Sequence, residues 1–525
     1  MRAPCDEPLI QSGSAAAPCK PEAASWILTA TILGSSMAFI DGTVVNVAVP
    51  TLQKAFHASV VDVQWVVESY GLFLSSLILA GGALGDLFGR RRIFVSGVAV
   101  FAAASAACGL ASSIQELVIA RCIQGVGAAL LVPGSLAIIS ASFDEKSRGQ
   151  AIGTWSGFTS ITTALGPVLG GWLIEHGSWR WAFFLNVPIA CAVVVTSLRH
   201  VPESRASRVA HIDWLGALLA TAGLAGVVTA FLESARFRWS NPLVFGSLLA
   251  GVACIVIFIP VEAHSSSPML PLALFKSRAF SGANLITLFL YAAIGIFFFL
   301  FPMNLIQLHG YSTTATGAAL LPMILLMFFL SRWSGGLVTR YGARIPLIVG
   351  PLIECVGFLL FALLPAKGSY WVTFFPPTLV LGLGMAVTVA PLTTVVMSSV
   401  DQDHVGTASG INNAVARVAG VLAIAVLGVV MVEAFGSHLD QTLAKLSLPP
   451  DIVQNIRSKQ IELAGLELPQ GLDANAVETL QRAIAKAFLY AFRLVLFLCA
   501  ALSTASSIVA WRMIAPGEVT PRRSG

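Results

Sequence analysis

The stretch Ile40-Asp41-Gly42-Thr43-Val44-Val45-Asn46-Val47-Ala48-Val49-Pro50 decides how this chain is read. It closes an apolar run that begins at Trp26. At about 1.5 Å of rise per residue, a helix over that run crosses a bilayer core. Asp41 therefore sits in hydrocarbon, where an aspartate costs at least about 2.5 kcal/mol. A partner or a proton removes that cost. Two readings follow: a structural clamp on a nearby arginine, or a proton-binding site.

Composition supports the membrane reading. Of 525 residues, 56% are hydrophobic and 11% charged, with a mean hydropathy of +0.82. Soluble domains carry about 25% charged residues. A soluble chain of this size has no means of hiding so much apolar surface. The apolar runs are too long for strands, so helices span and a barrel is excluded. Residues 1–25, with Pro4, Asp6, Glu7, Pro8, Pro18 and Pro21, have no apolar core and read as a disordered cytoplasmic tail, not a cleavable signal. Of eight cysteines, Cys5 and Cys19 lie in that tail and the others in apolar runs. With no Cys-x-x-Cys pair, neither a disulfide framework nor a zinc site is implied. The basic balance reflects arginine at one membrane face, not nucleic-acid binding.

The pattern predicts an all-α polytopic membrane protein with fourteen spans, near 26–49, 63–84, 93–111, 116–140, 151–174, 181–198, 212–232, 242–262, 281–303, 315–337, 345–364, 371–396, 406–434 and 485–511. One connection, 437–484, is long and polar, and its part from Ala474 to Lys486 has a helical pattern that leads into the last span. Arg90, Arg91, Arg92, Lys146, Arg148, Arg199, Arg205, Arg208, Lys276, Arg278, Arg340, Arg344 and the basic residues of both tails fall on one side. The opposite short loops hold only Lys54, Arg180, Arg236, Arg238 and Lys367. This asymmetry places both termini in the cytoplasm of a multi-pass inner-membrane protein. The stretch Gly82–Arg92 is echoed at Gly335–Arg344: Gly82 matches Gly335, Leu84 matches Leu337, Gly89 matches Gly342, and Thr339 replaces Asp86. Repeated halves are how many secondary transporters are built. The expected division is a tail (1–25), a six-helix bundle (26–198), two linking helices (199–262), a second six-helix bundle (263–511, with outer loop 437–484) and a cytoplasmic tail (512–525).

These residues resemble the major facilitator superfamily. Gly82–Arg92 is similar to its signature loop between spans two and three. Leu117-Val118-Ile119-Ala120-Arg121-Cys122-Ile123-Gln124-Gly125-Val126-Gly127 is similar to its span-four motif, with an arginine inside the membrane. Gly166-Pro167-Val168-Leu169-Gly170-Gly171 resembles the span-five antiporter motif, although Ala164 and Leu165 precede it and only Gly153 and Gly157 partly fill its earlier glycine positions. Ile40–Pro50 resembles the first-span motif of the fourteen-span drug:proton antiporters, the EmrB/QacA type. Trp179–Pro188, Asp213–Gly216 and Gly406–Gly410 also fit. One departure is Glu68, where the family has a small hydroxyl residue. The resemblance implies the major facilitator fold and proton-driven multidrug export by alternating access.

The candidate residues follow. Asp41, Glu68 and Arg121 lie at a similar depth, about 8–12 Å below the outer surface. Two acids and one fixed cation make a pair plus a surplus acid: either a proton-coupling set or a permanently ionised cluster. On family grounds Asp41 is the coupling acid and Glu68 the addition. Glu354, mid-span in the eleventh helix, is either a further proton or cation site or a neutralising partner for Arg417 or Arg332. Asp86, Gly89, Arg90 and Arg91, with Asp144 as a partner, either set topology or, as the resemblance implies, form a gate latch. Gly166, Pro167 and Gly170, like Gly153/Gly157 and Gly406/Gly410, place small residues on one face for close helix approach. An aromatic and amide cavity for substrate would draw on Asn46, Trp65, Tyr70, Gln124, Trp155, Phe158, Asn304, Gln307, Asn412 and Asn413, since aromatic faces accept lipophilic cations. Packing is the plainer role for any one of them.

The leading reading is a proton-coupled exporter of amphipathic drugs or similar metabolites, and the competing one a facilitator-fold transporter of one dedicated solute, including import. No Gly-x-x-x-x-Gly-Lys-Ser/Thr loop and no His-Glu-x-x-His occurs, so ATP-driven pumping and zinc hydrolysis are not expected. No cofactor is expected beyond the proton gradient. Expected partners are the lipid bilayer, protons and a small amphipathic substrate. A periplasmic adaptor stays open, because the chain lacks a pronounced hydrophobic N-terminal extension to reach one, yet adaptors need not dock there.

Overall fold

The computed structural model describes residues 21–143, 145–205, 213–237, 239–265, 268–363, 368–400, 405–445, 449–466, 468 and 474–516. Among them the chain is almost wholly helical, without a strand. Among the described residues, fourteen helical stretches are long and apolar enough to cross a membrane, the sixth running from Trp181 to His200 and the tenth from Thr313 to Leu330. Their main helices are α1 (Pro21–Phe56), α2 (Val60–Phe88), α3 (Arg90–Leu110), α4 (Ile114–Ser142), α5 (Glu145–His176), α6 (Asn186–His200), α7 (Trp214–Phe237), α8 (Pro242–His264), α9 (Arg278–Met303), α10 (Leu321–Tyr341), α11 (Arg344–Leu363), α12 (Phe375–Ser398), α13 (Val405–Leu443) and α14 (Ala474–Met513). Short helices precede α6 (Trp181–Phe184), α10 (Thr313–Ala319) and α12 (Tyr370–Thr373), and a π-helical turn, Asn304–Leu308, extends α9.

The helix starts are written locally. Ser59 and Asp62 cap α2 reciprocally: Asp62 Oδ2 accepts from the Ser59 N–H, and Ser59 Oγ accepts from the Asp62 N–H. Ser113 caps α4 and Ser277 caps α9 by accepting the backbone N–H three residues on. The repeat also appears in the backbone. Gly89 turns α2 into α3 at φ 112°, and Gly342 turns α10 into α11 at φ 72°. Both angles lie where a Cβ is disfavoured, so the matched glycines of the two halves perform the same turn.

The segment 437–484 is less of a loop than its polarity suggests. α13 runs to Leu443 and α14 starts at Ala474. Between them lie a helix, Pro450–Ser458, and a 3-10 turn, Gln460–Gly465, whose Ile456 and Leu463 are fully buried. Hydropathy marks where a helix leaves hydrocarbon, whereas the helix itself ends only where its backbone bonds or packing give out.

Contacts sort the chain into two compact units. One comprises Met1–Val45, Ser69–Ala225 and Gly251–Ala273; the other comprises Asn46–Glu68, Gly226–Ala250 and Leu274–Gly525. The core of the first includes Phe94, Phe101 and Phe183, all fully buried. The second is centred on an aromatic cluster in which Phe297 stacks on Phe301 and both meet Phe361.

Candidate functional site

In the first unit, Arg121 of α4 is paired with Asp41 of α1, and each is only 1% exposed. The pair is enclosed by further donors and acceptors. Arg121 donates to Gln124 Oε1 at 2.8 Å. Gln124 Nε2 donates to Asp41 Oδ1 at 2.8 Å, and Asn186 Nδ2 donates to the same oxygen at 3.3 Å. Asn186, at the start of α6, also donates to Ser105 Oγ of α3 at 3.0 Å. Above the guanidinium lies the Tyr70 ring, 4.2 Å to its centroid, with Phe183 at 5.9 Å. The Tyr70 hydroxyl donates to the Ala38 carbonyl of α1. The spacing works because Arg121 and Gln124 are three apart and share one face of α4. A charge pair withdrawn from water persists when its other hydrogen-bonding capacity is met, and Gln124 of α4 and Asn186 of α6 contribute to that here.

The sequence-predicted residues divide. Tyr70 and Gln124, expected in a substrate cavity, are built into this ion-pair cluster. Trp155 Nε1 donates to Ser35 Oγ of α1 at 3.1 Å, while Phe158 is exposed. In the second unit, Glu68 is 1% exposed and neither carboxyl oxygen has a hydrogen-bond partner among the described residues. Trp65 donates to Glu233 of α7 at 2.8 Å, beside an Asp62–Arg236 ion pair also of 2.8 Å. Gln307 donates to Gln53 at 2.8 Å. Asn412 of α13 donates to Thr287 and Asn284 of α9. Asn304 is buried, Asn46 half-buried, and Asn413 exposed and bonded to its own helix at Ser409. Glu354 is fully buried on α11 and forms no ion pair among the described residues, while the side chain of Arg332 lies outside them. No group of three or more His, Cys, Asp or Glu that could hold a metal occurs among the described residues.

The span-five glycines bear directly on the site. A Cβ at Gly166 would collide with Thr43 Oγ1, and one at Gly170 with Val44 Cγ1. Their absence lets α5 lie against the stretch of α1 that presents Asp41. Gly153 and Gly157 differ: a Cβ at either would meet nothing within 4 Å. Their spacing suggested close approach, but no described residue stands opposite either one at that distance.

At the α2–α3 turn, Arg90 pairs with Asp86 at 2.8 Å and its backbone N–H donates to the Ser204 carbonyl. Asp144, the expected partner of these arginines, lies outside the described residues. The acid that meets them is Glu203, after α6: it accepts the Arg91 backbone N–H at 3.1 Å and lies 3.8 Å and 3.7 Å from the Arg91 and Arg92 side chains.

The sequence model of the Major Facilitator Superfamily matches residues 31–214 and 212–424. The chain belongs to this superfamily. Among its relatives is the tetracenomycin C resistance and export protein of Streptomyces glaucescens, 34% identical over 424 residues, which are 80% of this chain and 78% of that one. The multidrug resistance protein Stp of Mycobacterium tuberculosis is 36% identical over 430 residues, 81% of this chain and 79% of the other. A bacterial homologue of the lysosomal transporter Spinster, solved inward-facing and unoccupied, shares the fold at TM-score 0.65 and 17% identity, over 94% of this chain and 98% of that one. This major facilitator chain is thus a multi-pass membrane transporter and not an enzyme. Three residues of its clusters were not singled out by sequence reasoning. Asn186 stood inside a quoted motif, without a sign that its amide turns toward Asp41. Ser105 and Glu203 carried no signal at all, since a serine in an apolar helix and an acid in a basic loop are common.

Proposed function

We propose that this protein is a proton-coupled antiporter that exports amphipathic drugs or related small molecules across the inner (plasma) membrane by alternating access. The resistance and export functions named for its relatives support the direction and the substrate class. Coupling rests on one observation: Arg121 is committed to Asp41, while Glu68 is buried with neither cation nor donor among the described residues. A carboxyl without a partner in hydrocarbon is stable only with a proton on it. In the cycle, a proton reaching Asp41 cancels the charge that holds Arg121, and the cluster around the pair loosens. Glu68 is the surplus acid that takes or passes on that proton. The Asp86–Arg90 and Glu203–Arg91 contacts form a cytoplasmic latch that tightens in one access state and parts in the other.

The test uses inside-out vesicles with an imposed proton gradient and a lipophilic cationic dye. Gradient-dependent dye movement is expected in the wild type and is lost in Asp41→Asn, with Glu68→Gln also impaired. Movement unaffected by either substitution at normal expression overturns the coupling assignment. No dye movement in the wild type overturns multidrug export.

A further inference from the structure

We infer that Glu354 is a further proton-binding carboxyl of this chain, held as the neutral acid between α11 and α12. Its use in the transport cycle rests on the antiport reading above; its protonation does not.

Glu354 is fully buried, and its Oε2 has no hydrogen-bond partner among the described residues. Its Oε1 lies 3.2 Å from Thr388 Oγ1 of α12. That hydroxyl also lies 2.8 Å from the carbonyl of Gly384, one turn back along its own helix. A threonine hydroxyl has a single hydrogen. The carbonyl is the nearer acceptor, and a threonine in a helix commonly donates there. The contact with Oε1 then needs a second hydrogen, which only the glutamic acid can supply. A protonated carboxyl that donates to Thr388 Oγ1 satisfies both contacts at once. An ionised Glu354 would leave a full charge in hydrocarbon with no donor of its own and no ion pair among the described residues.

The surroundings exclude a larger ligand. A Cβ at Gly384 would run into Glu354 Cγ and come within 2.7 Å of its backbone nitrogen. A Cβ at Gly350 would run into Thr388 Oγ1. The two helices therefore close over the carboxyl, leaving no space beside it for a hydrated cation or a substrate ammonium. The neighbouring ionisable groups are few. Tyr291 of α9 lies in electrostatic reach of both Glu354 and Arg417 of α13. Cys355, next along α11, accepts from Thr504 of α14. α12 carries no ionisable side chain. When α11 and α12 separate, water reaches the carboxyl, its O–H bond breaks, and the proton leaves as hydronium. Reprotonation from water on the opposite side restores the acid.

The test is infrared spectroscopy of the full chain in liposomes at neutral pH, following the C=O stretch of protonated carboxylic acids. Glu354→Gln is expected to lose one such band. Thr388→Val, which keeps the acid, is expected to shift the same band by removing its hydrogen-bond acceptor; this arm also stands if Glu354→Gln fails to fold. A Glu354→Gln spectrum with every protonated band intact, or a band unmoved in Thr388→Val, overturns the proposal. Loss of the band without gradient-driven dye movement in the wild type upholds the neutral acid and overturns only the antiport reading.

Discussion

Arg121 shows what one intramembrane charge requires. It is 1% exposed, and it is met by a carboxylate, an amide oxygen and an aromatic face. Arg121→Met leaves Asp41 buried and unpaired, a change that typically costs about 3–5 kcal/mol. The thermal midpoint of the detergent-purified protein should fall sharply, and adding Asp41→Asn should restore part of it, because the double variant buries no charge. Asn186→Ala is milder. It removes donors to Asp41 and Ser105, and hydrogen bonds to charged groups contribute about 1.5–3 kcal/mol. A lowered midpoint with the ion pair still formed is the expected result. The presence of Asp41 and Arg121 was legible in sequence because charge in an apolar run is conspicuous. The roles of Tyr70 and Gln124 were not. Both polar and aromatic side chains occur along cavities and in buried clusters alike, and only their rotation about the helix axis separates the two.

Among the elements, glycine spacing has to be read together with what stands opposite. Gly166→Ala places a methyl against Thr43 and should disturb the seat of α5 on α1, lowering transport and stability together. Thr43→Ala makes room and should recover part of both. Gly153→Ala meets open space, so it should raise stability by about 0.5–1 kcal/mol, the usual gain over glycine inside a helix. Equal destabilisation at both sites would contradict the packing described. The α2–α3 turn offers a second contrast. Gly89→Ala suffers both its positive φ, at about 1–2 kcal/mol, and a clash with Glu203, whereas Gly342→Ala suffers the φ alone. Thermal unfolding of the two variants should rank Gly89→Ala as the worse.

For the whole molecule, an even number of spans would leave both termini on one side of the membrane, and arginine placement is the ground for proposing that this side is the cytoplasm. A green fluorescent protein fused at the C-terminus should fluoresce, and alkaline phosphatase inserted in the connection between α13 and α14 should be active. The reverse pattern would invert the topology. The stretches Gly82–Arg92 and Gly335–Arg344, echoes of each other in sequence, share a positive-φ glycine turn at Gly89 and Gly342.

By itself, the sequence determined the number of spans, the helical class, the repeat, the superfamily, and that a buried acid and a buried arginine occur at one depth. These follow from hydropathy, charge and short motifs, which act along the chain or at a fixed distance from the membrane surface. Tertiary structure alone decided which groups meet. Asp41 is held by Arg121 and Gln124 from one region of the chain and by Asn186 from another, Glu203 meets the Arg91 and Arg92 side chains, and Glu354 faces a threonine with no ion pair among the described residues. Partner choice depends on how each helix is rotated and how closely its neighbours approach. Residues far apart in sequence set both.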